Sequence, residues 1–573
     1  MSAIEGRATA RTYGNWRKPR TRGVGGLGMF PTMFGFAGAV MVIIVATNKG
    51  LVAGVITAAV FAGVLAAVAV KDKHGESGMI RIMNRAGWLF ARNRGAHLYR
   101  SGPLGFAEWG TAQLPGLAAG SRLTEWKDSY GRPFALIEVP STNDFTVVLG
   151  AEPDGSALVD QEQVDIWVAE WGSWLEALAD EPGLVAASVT LETAPDTGTR
   201  LASEVLGRID DRGSEFSKSV LRKIVATYPA GAATIKAYVA ITFAGAARTG
   251  AARRSPEEMG RELAYRLPGL TSGLSSTGAG AARPLTAQDL CEVVRIAYDP
   301  AAAILIDQAN SAGQATELYW PEVGPTAHQA SWDSYRHDSA LSVSWMMSQA
   351  PRGNVGESIL SRLLAPHRHI ARKRVTMLYR PIDPARAAAI VEADKRDAEF
   401  LVGSTKNPTG RSRKDVIAAF ANESEESGGA GLVNFGMVVT ATVQDPATIE
   451  DARAAVDSLS AQARIRLRVV HGSQDSAFAA GLPLGLVLPR HLAMDPACLI
   501  APDAASPAPP ITAPATAAPD TPPAGATIGA MKRMSAGSAM SAMSMSAIPV
   551  STAQMPCPSF ANRSVPMRRN AAA

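Results

Sequence analysis

Few residues in this chain have the types and spacing that chemistry needs. His337, Asp338 and Ser339 are consecutive, and Asp333, Ser334 and Arg336 stand just upstream. Such residues could make a hydrolytic triad, in which a carboxylate orients a histidine that activates a serine. Triads are gathered from distant segments, however, and no nucleophile-elbow pattern is present, so a polar turn before a strand at Leu341 is the preferred reading. His367 and His369 are spaced as a strand presents two ligands to a metal, but they lie among arginines with no evident third ligand. The run Arg368, Arg372, Lys373 and Arg374 offers cations to an acidic partner, a nucleic acid or a phospholipid. A solvated loop ahead of a strand is the alternative for that run.

Two nucleotide-binding patterns fail on context. Ala303 to Asp307 imitates the apolar strand ending in a metal-binding acid of NTPases. No glycine-rich segment closes in Gly-Lys-Ser/Thr, which argues against autonomous ATP hydrolysis. Gly23, Gly25 and Gly28 match a dinucleotide-binding spacing but precede an apolar run instead of an amphipathic helix. The sequence therefore assigns no catalytic residue, no metal and no cofactor, and the chain reads as a non-enzyme. Arg368, Arg372, Lys373 and Arg374 are its partner-binding candidates.

The elements that would position these residues fall into six stretches. Residues 1–26 are basic and turn-rich. Residues 27–70 comprise two uncharged limbs of about 30 Å rise each, parted by Asn48, Lys49 and Gly50, and predict a transmembrane helical hairpin. Six basic residues precede it and seven follow, against Lys49 alone in the turn, which predicts cytoplasmic termini and an external turn. Residues 71–150 predict a juxtamembrane helix and a small antiparallel sheet. Met79, Ile82, Met83, Ala86, Leu89 and Phe90 share one face of that helix, which suits either the anionic inner leaflet or an ordinary packed helix.

Residues 151–330 and 331–500 predict two cytoplasmic α+β blocks, giving an α+β fold class. In the first, Val164, Trp167, Val168, Trp171, Trp174, Leu175 and Leu178 repeat at three and four, and burial of that face in a core is preferred to ligand stacking. Its helix–strand order predicts helices on one sheet face. The second block runs strand, helix, strand, long helix, polar helix, strand, helix, strand, helix; no residue-level repeat proves kinship with the first. Residues 501–573 are Pro/Ala/Thr-rich and then Met/Ser-rich, which predicts a disordered tail.

Composition narrows the function classes. The net charge is +4 over 573 residues, with the excess around the apolar limbs, so nothing marks a dedicated nucleic-acid-binding protein. Cys291, Cys498 and Cys557 are few and far apart, which suits a reducing compartment and argues against a disulfide framework. The apolar limbs are too long for the core of a cleavable signal.

Four segments carry a family resemblance: Thr12-Tyr13-Gly14-Asn15-Trp16, His97 to Gly105, Leu158 to Val164, and Leu482 to Leu492. Across roughly residues 10–495 the chain resembles actinobacterial membrane proteins of conjugative and integrative elements. Those look like a two-helix type IV secretion membrane subunit fused to the amino-terminal half of a secretion ATPase, without its motor domain. The resemblance implies an integral inner-membrane structural subunit that scaffolds a separate cytoplasmic P-loop ATPase. The implied partners are the lipid bilayer, that ATPase in trans and other secretion-channel subunits, with the chain an oligomer within the complex and direct DNA contact left open. Alternatives are a type VII secretion membrane subunit, or a membrane-tethered enzyme using His337 or the His367/His369 pair.

Overall fold

The computed structural model describes residues 11–14, 16, 29–69, 72, 78–102, 105, 111–153, 155, 159–210, 212–227, 233–246, 253–351, 353–404, 407–491 and 550–551. The helices are α1 (Met29–Lys49), α2 (Leu51–Ala69), α3 (Gly78–Asn93), α4 (Gln161–Asp180), α5 (Thr199–Leu206), α6 (Glu215–Thr227), α7 (Pro256–Ser272) and α8 (Ala287–Tyr298). They continue with α9 (Ala302–Ser311), α10 (Ser361–Leu364), α11 (Pro384–Gly403), α12 (Gly410–Ser427), α13 (Ile449–Gln462), α14 (Gln474–Ala480) and α15 (Leu488–His491). The strands are β1 (Leu98–Arg100), β2 (Arg122–Lys127), β3 (Pro133–Val139), β4 (Asp144–Glu152), β5 (Leu184–Pro195), β6 (Ala233–Ala244) and β7 (Ala281–Pro284). The remainder are β8 (Ala327–Ala330), β9 (Tyr335–His337), β10 (Ala340–Gln349), β11 (Arg372–Pro381), β12 (Val433–Val443), β13 (Arg466–Val469) and β14 (Val550–Ser551). Apart from β14, the expected disordered tail lies outside the described residues.

The apolar limbs do form a helical hairpin. Gly50 makes the turn at φ +89°, and a Cβ on Gly54 would sit 2.7 Å from Cβ of Ala46, so only glycine admits this approach of α2 to α1. Among the described residues, no helix is long and apolar enough to cross a membrane. This corrects the expected transmembrane assignment of residues 27–70. With it go the plasma-membrane localisation, the two-helix topology with cytoplasmic termini and the bilayer as a partner.

Helix α3 is held against the rest of the protein. The Trp88 ring meets Trp332 edge-on at 5.4 Å, and the Arg85 guanidinium lies 4.7 Å from the Trp332 centroid. Trp332 in turn stacks on His471. Ile82, Met83, Leu89 and Phe90, part of the face expected to meet either the inner leaflet or the rest of the protein, are exposed.

The mixed α+β character stands, but the sheet is far larger than expected. Its hydrogen-bonded order is β1-β8-β9-β10-β12-β11-β5-β6-β4-β3-β2, with β7 on β4 and β13 on β10. The strands expected in a small separate sheet, β2 to β4, are one edge of it. Register exposes an internal duplication. Thr146 faces Thr242 across β4–β6, and Ser342 faces Thr442 across β10–β12. Ala186 faces Thr242 across β5–β6, and Arg372 faces Thr442 across β11–β12. Gly150 faces Arg283 on β7, and Met346 faces Arg468 on β13. One set of equivalences satisfies every pair: β4 with β10, β5 with β11, β6 with β12, β7 with β13. The antiparallel pairing of β5 with β11 is therefore a local pseudo-dyad, and Thr190 and Thr376 face each other there, with their hydroxyls 3.1 Å apart.

Helices cover both faces, not one. On one face α4, α7, α10 and α13 bury Trp171, Leu263, Leu363 and Val456 against Phe145, Val147, Val375 and Val439. Trp171 stacks on Trp174 at 5.0 Å, so the tryptophan stripe of α4 is core. The other face carries α8, α14 and the chain from 481 to 488.

That last segment is a strap across the sheet. Gln474 accepts from the Ser344 amide on β10 and donates to the Ser344 carbonyl. The hydroxyl of Thr376 on β11 donates to Gly481 O, and that of Thr242 on β6 donates to Gly485 O, each at 2.9 Å. Arg490 closes the crossing on Asp144 of β4 at 3.0 Å. Gly485 has φ +64°, and a Cβ there would lie 2.3 Å from the Thr242 hydroxyl. The polar side chains of this sheet face thus find partners in strap carbonyls, which is what permits their burial.

Candidate functional site

The cleft described here opens at the carboxyl end of β5 and encloses about 450 Å³ of non-protein space, its open mouth included. Its polar wall is built by cross-strand register. Glu192 of β5 lies directly between Lys236 of β6 and Arg374 of β11. Arg372, two residues along β11, forms an ion pair with the Glu192 carboxylate. Asp307 of α9 enters from the opposite side, fixed by a 2.8 Å hydrogen bond from the Thr197 hydroxyl. Val293, Ile296 and Ala303 of α8 and α9 form an apolar wall. A cleft with an apolar wall and a few convergent polar groups is the usual form of a small-molecule site.

The charges are set by burial and by each other. Burial alone would raise the Glu192 pKa, but Arg372, Arg374 and Lys236 outweigh it and hold the carboxyl below its ordinary range. Arg374 is buried and pushed down to about 10 by that burial, so it stays charged at neutral pH. Its guanidinium lies 4.4 Å from the Phe478 centroid, and neither terminal nitrogen has a hydrogen-bond partner among the described residues. Arg372 Nε is likewise without one. Lys236 is exposed at the mouth.

The basic run is therefore not a shared surface. Arg368 is exposed on a turn and donates to His369 Nε2 at 2.8 Å. Arg372 belongs to the cleft. Lys373 is buried on the other sheet face, its ammonium donating to Ala365 O at 2.5 Å, and burial pushes its pKa down to about 8. Arg374 lies beneath the strap. Strand alternation separates Lys373 from its two neighbours, a division that consecutive positions conceal until they are placed on β11.

The supposed triad comes apart in a similar way. His337 is fully buried on β9. Its Nδ1 reaches the Tyr298 carbonyl at 2.5 Å, so Nδ1 carries the proton, and Nε2 accepts from the Ser342 hydroxyl at 2.8 Å. Ser342 then accepts from Thr442 at 2.7 Å. Asp338 instead accepts from the backbone amides of Thr326 and Ala327, at 2.7 and 3.2 Å, and Ser339 donates to Asp299. A serine–histidine pair is present, but Ser342 is sealed from solvent as completely as His337. Burial pushes His337 down to about 4, which keeps it neutral. The neighbouring His328, bonded to the Tyr335 hydroxyl at 2.7 Å, is pushed down to about 3 by burial and by His337.

His367 and His369 lie on one turn with ring centroids 5.6 Å apart. Among the described residues no group of three or more His, Cys, Asp and Glu side chains is placed to hold a metal ion. The Ala303–Asp307 stretch is helix α9, not a strand. Sequence reasoning passed over Glu192, Lys236 and Ser342. A charged residue at the end of an otherwise apolar β run was the available signal for Glu192.

Residues 20–79 match a family described as Domain of unknown function (DUF8461), a segment that covers α1 and α2 and ends at the start of α3. No curated protein matches the chain. The expected identity as a conjugative-element, type IV secretion-like membrane protein is corrected accordingly. So are the roles that rested on it: the inner-membrane scaffold, the type VII alternative, the P-loop ATPase held in trans and the other channel subunits as partners. What the chain is similar to is a domain of unknown function over about a tenth of its length.

Proposed function

We propose that this chain acts by binding and not by catalysis, and that the cleft between the β5–β6–β11 row and the α8–α9 wall takes a small aliphatic carboxylate. The observation that supports this is the distribution of donors. Lys236 lines the cleft beside an apolar wall and is exposed, while Glu192 is already held by Arg372. A carboxylate at Lys236 with its hydrocarbon chain along Val293, Ile296 and Ala303 would use both walls. The serine–histidine pair most like a catalytic dyad is closed to any substrate, which favours the non-enzymatic reading.

The test is calorimetry and ligand-observed NMR on the full chain with butyrate, hexanoate and inorganic phosphate. Hexanoate should bind more tightly than butyrate, since each added methylene buries apolar surface worth about 0.8 kcal/mol. Lys236→Ala should weaken hexanoate at least fivefold. Absence of carboxylate binding at millimolar concentration, or binding that ignores Lys236→Ala, overturns the reading. Tighter binding of phosphate than of either acid would replace the ligand class.

A further inference from the structure

The ionised side chains that line the cleft are Glu192, Lys236, Asp307 and Arg372, and they are paired unevenly. Glu192 and Arg372 hold each other. Lys236 and Asp307 have no ion pair among the described residues, with each other or with any other group. Lys236 stands on β6 directly across from Glu192, whereas Asp307 comes from α9 on the far side. One free cation and one free anion thus face the same space from opposite walls.

Asp307 is held in place without being satisfied. The Thr197 hydroxyl donates to its Oδ2 at 2.8 Å, and the same hydroxyl accepts from the Thr199 amide at 3.5 Å. Oδ1 has no hydrogen bond among the described residues, although an ionised carboxylate can accept about four. Ala303 precedes Asp307 by four residues on α9, so the two share a face about one turn apart. The apolar wall of Val293, Ile296 and Ala303 therefore leads along α9 to the Asp307 carboxylate.

A ligand with a carboxylate alone answers Lys236 and leaves Asp307 an unpaired anion beside hydrocarbon, which is unfavourable. We propose that the ligand is an ω-amino acid, an inference that rests on the carboxylate reading of this cleft. Its carboxylate meets Lys236, its methylenes lie along the apolar wall, and its terminal ammonium donates to Asp307. Glu192 does not compete for that ammonium, because Arg372 already occupies its carboxylate. An α-amino acid sets its ammonium next to its own carboxylate, beside Lys236, and leaves Asp307 as it was.

The test is calorimetry on the full chain with 4-aminobutyrate, 5-aminopentanoate and 6-aminohexanoate, each against the unsubstituted acid of the same length. At least one should bind about fivefold or more tightly than its parent acid, as a charge-assisted hydrogen bond to a half-buried carboxylate provides. The isomer 2-aminohexanoate should bind no more tightly than hexanoate. Asp307→Asn should bring the ratio of amino acid to parent acid to about one, since the charge assistance is gone. Asp307→Glu keeps the charge and extends it by a methylene, so it should keep the gain and move the preferred ligand one methylene shorter; it also serves should the asparagine variant fail to fold. Hexanoate binding that depends on Lys236, with no gain for any ω-amino acid, overturns this inference and leaves the carboxylate reading standing. Failure of every acid to bind overturns both. A gain that survives Asp307→Asn, or that 2-aminohexanoate or 6-hydroxyhexanoate shares, overturns the assignment of an ammonium to Asp307.

Discussion

Acidification should unfold this protein through two histidines before its carboxylates are protonated. His337 and His328 lie in the apolar cluster beside Tyr335 and Phe478, with ring centroids 4.6 to 5.2 Å apart along the chain His328–Tyr335–His337–Phe478. Burial lowers them from an ordinary 6.5 to about 4 and about 3. In the unfolded chain both are free to take a proton below pH 6.5, and in the folded chain they are not. The unfolded state therefore binds more protons between these limits, and stability is complete above pH 6.5 and lost as pH falls towards 4. Each unprotonated imidazole costs about 1.4 kcal/mol per pH unit in this window, so two cost roughly 2.5 kcal/mol between pH 6 and 5 and about 5 kcal/mol by pH 4.5. Guanidinium denaturation at pH 7, 6 and 5 reads that slope, and His337→Asn should reduce it by about half whatever it does to stability at pH 7. NMR of the imidazole carbon protons gives the refutation directly. A titration of either His328 or His337 above pH 6 in the folded protein would show that the rings are hydrated, and the reasoning from burial would fail.

Two substitutions test the row beneath the strap. Glu192→Gln leaves Arg372 and Arg374 side by side without their carboxylate and should cost about 3–5 kcal/mol, read as a lowered denaturation midpoint, with a neutral result showing that the arginines are solvated. Gly485→Ala forces a Cβ to within 2.3 Å of the Thr242 hydroxyl at φ +64° and should cost at least about 2 kcal/mol, with faster backbone hydrogen exchange across β6 and α14. An unchanged exchange pattern would mean the strap moves without loosening its hydrogen bonds.

Local pattern made most of the strands legible. Phe134–Val139, Val433–Val443 and the alternating stretch before Phe243 fall within β3, β12 and β6, because period-two alternation against one core is a local property. The hairpin of α1 and α2 was legible for the same reason, whereas its assignment to a bilayer rested on length and apolarity that the described helices do not reach. The sheet order was hidden. Pairing of β5 with β11 joins Glu192 to Arg374, and nothing within either segment announces the other. The site was hidden for that reason too: four cations read as one surface run, while strand alternation sends Lys373 to one face and the turn carries Arg368 away.

The duplication places the charges that line the cleft unequally in the two halves. Equivalent positions on β5 and β11 are Ala186, Ala187 and Ser188 against Arg372, Lys373 and Arg374, and Glu192 corresponds to Leu378. The first half fills these positions with small or neutral side chains that need no partner. The second half places buried cations there, and the lone carboxylate that balances Arg372 and Arg374 comes from the first half across the pseudo-dyad. Neither half could bury its share alone, because an unpaired buried charge costs several kcal/mol. The ion pair therefore favours this register over one that sets Thr376 opposite Glu192, which would keep every side chain on its face yet carry Arg372 away from the carboxylate. The cleft's polar wall is a product of that asymmetry, since Glu192 and Arg372, which lock the halves together, line it beside Lys236.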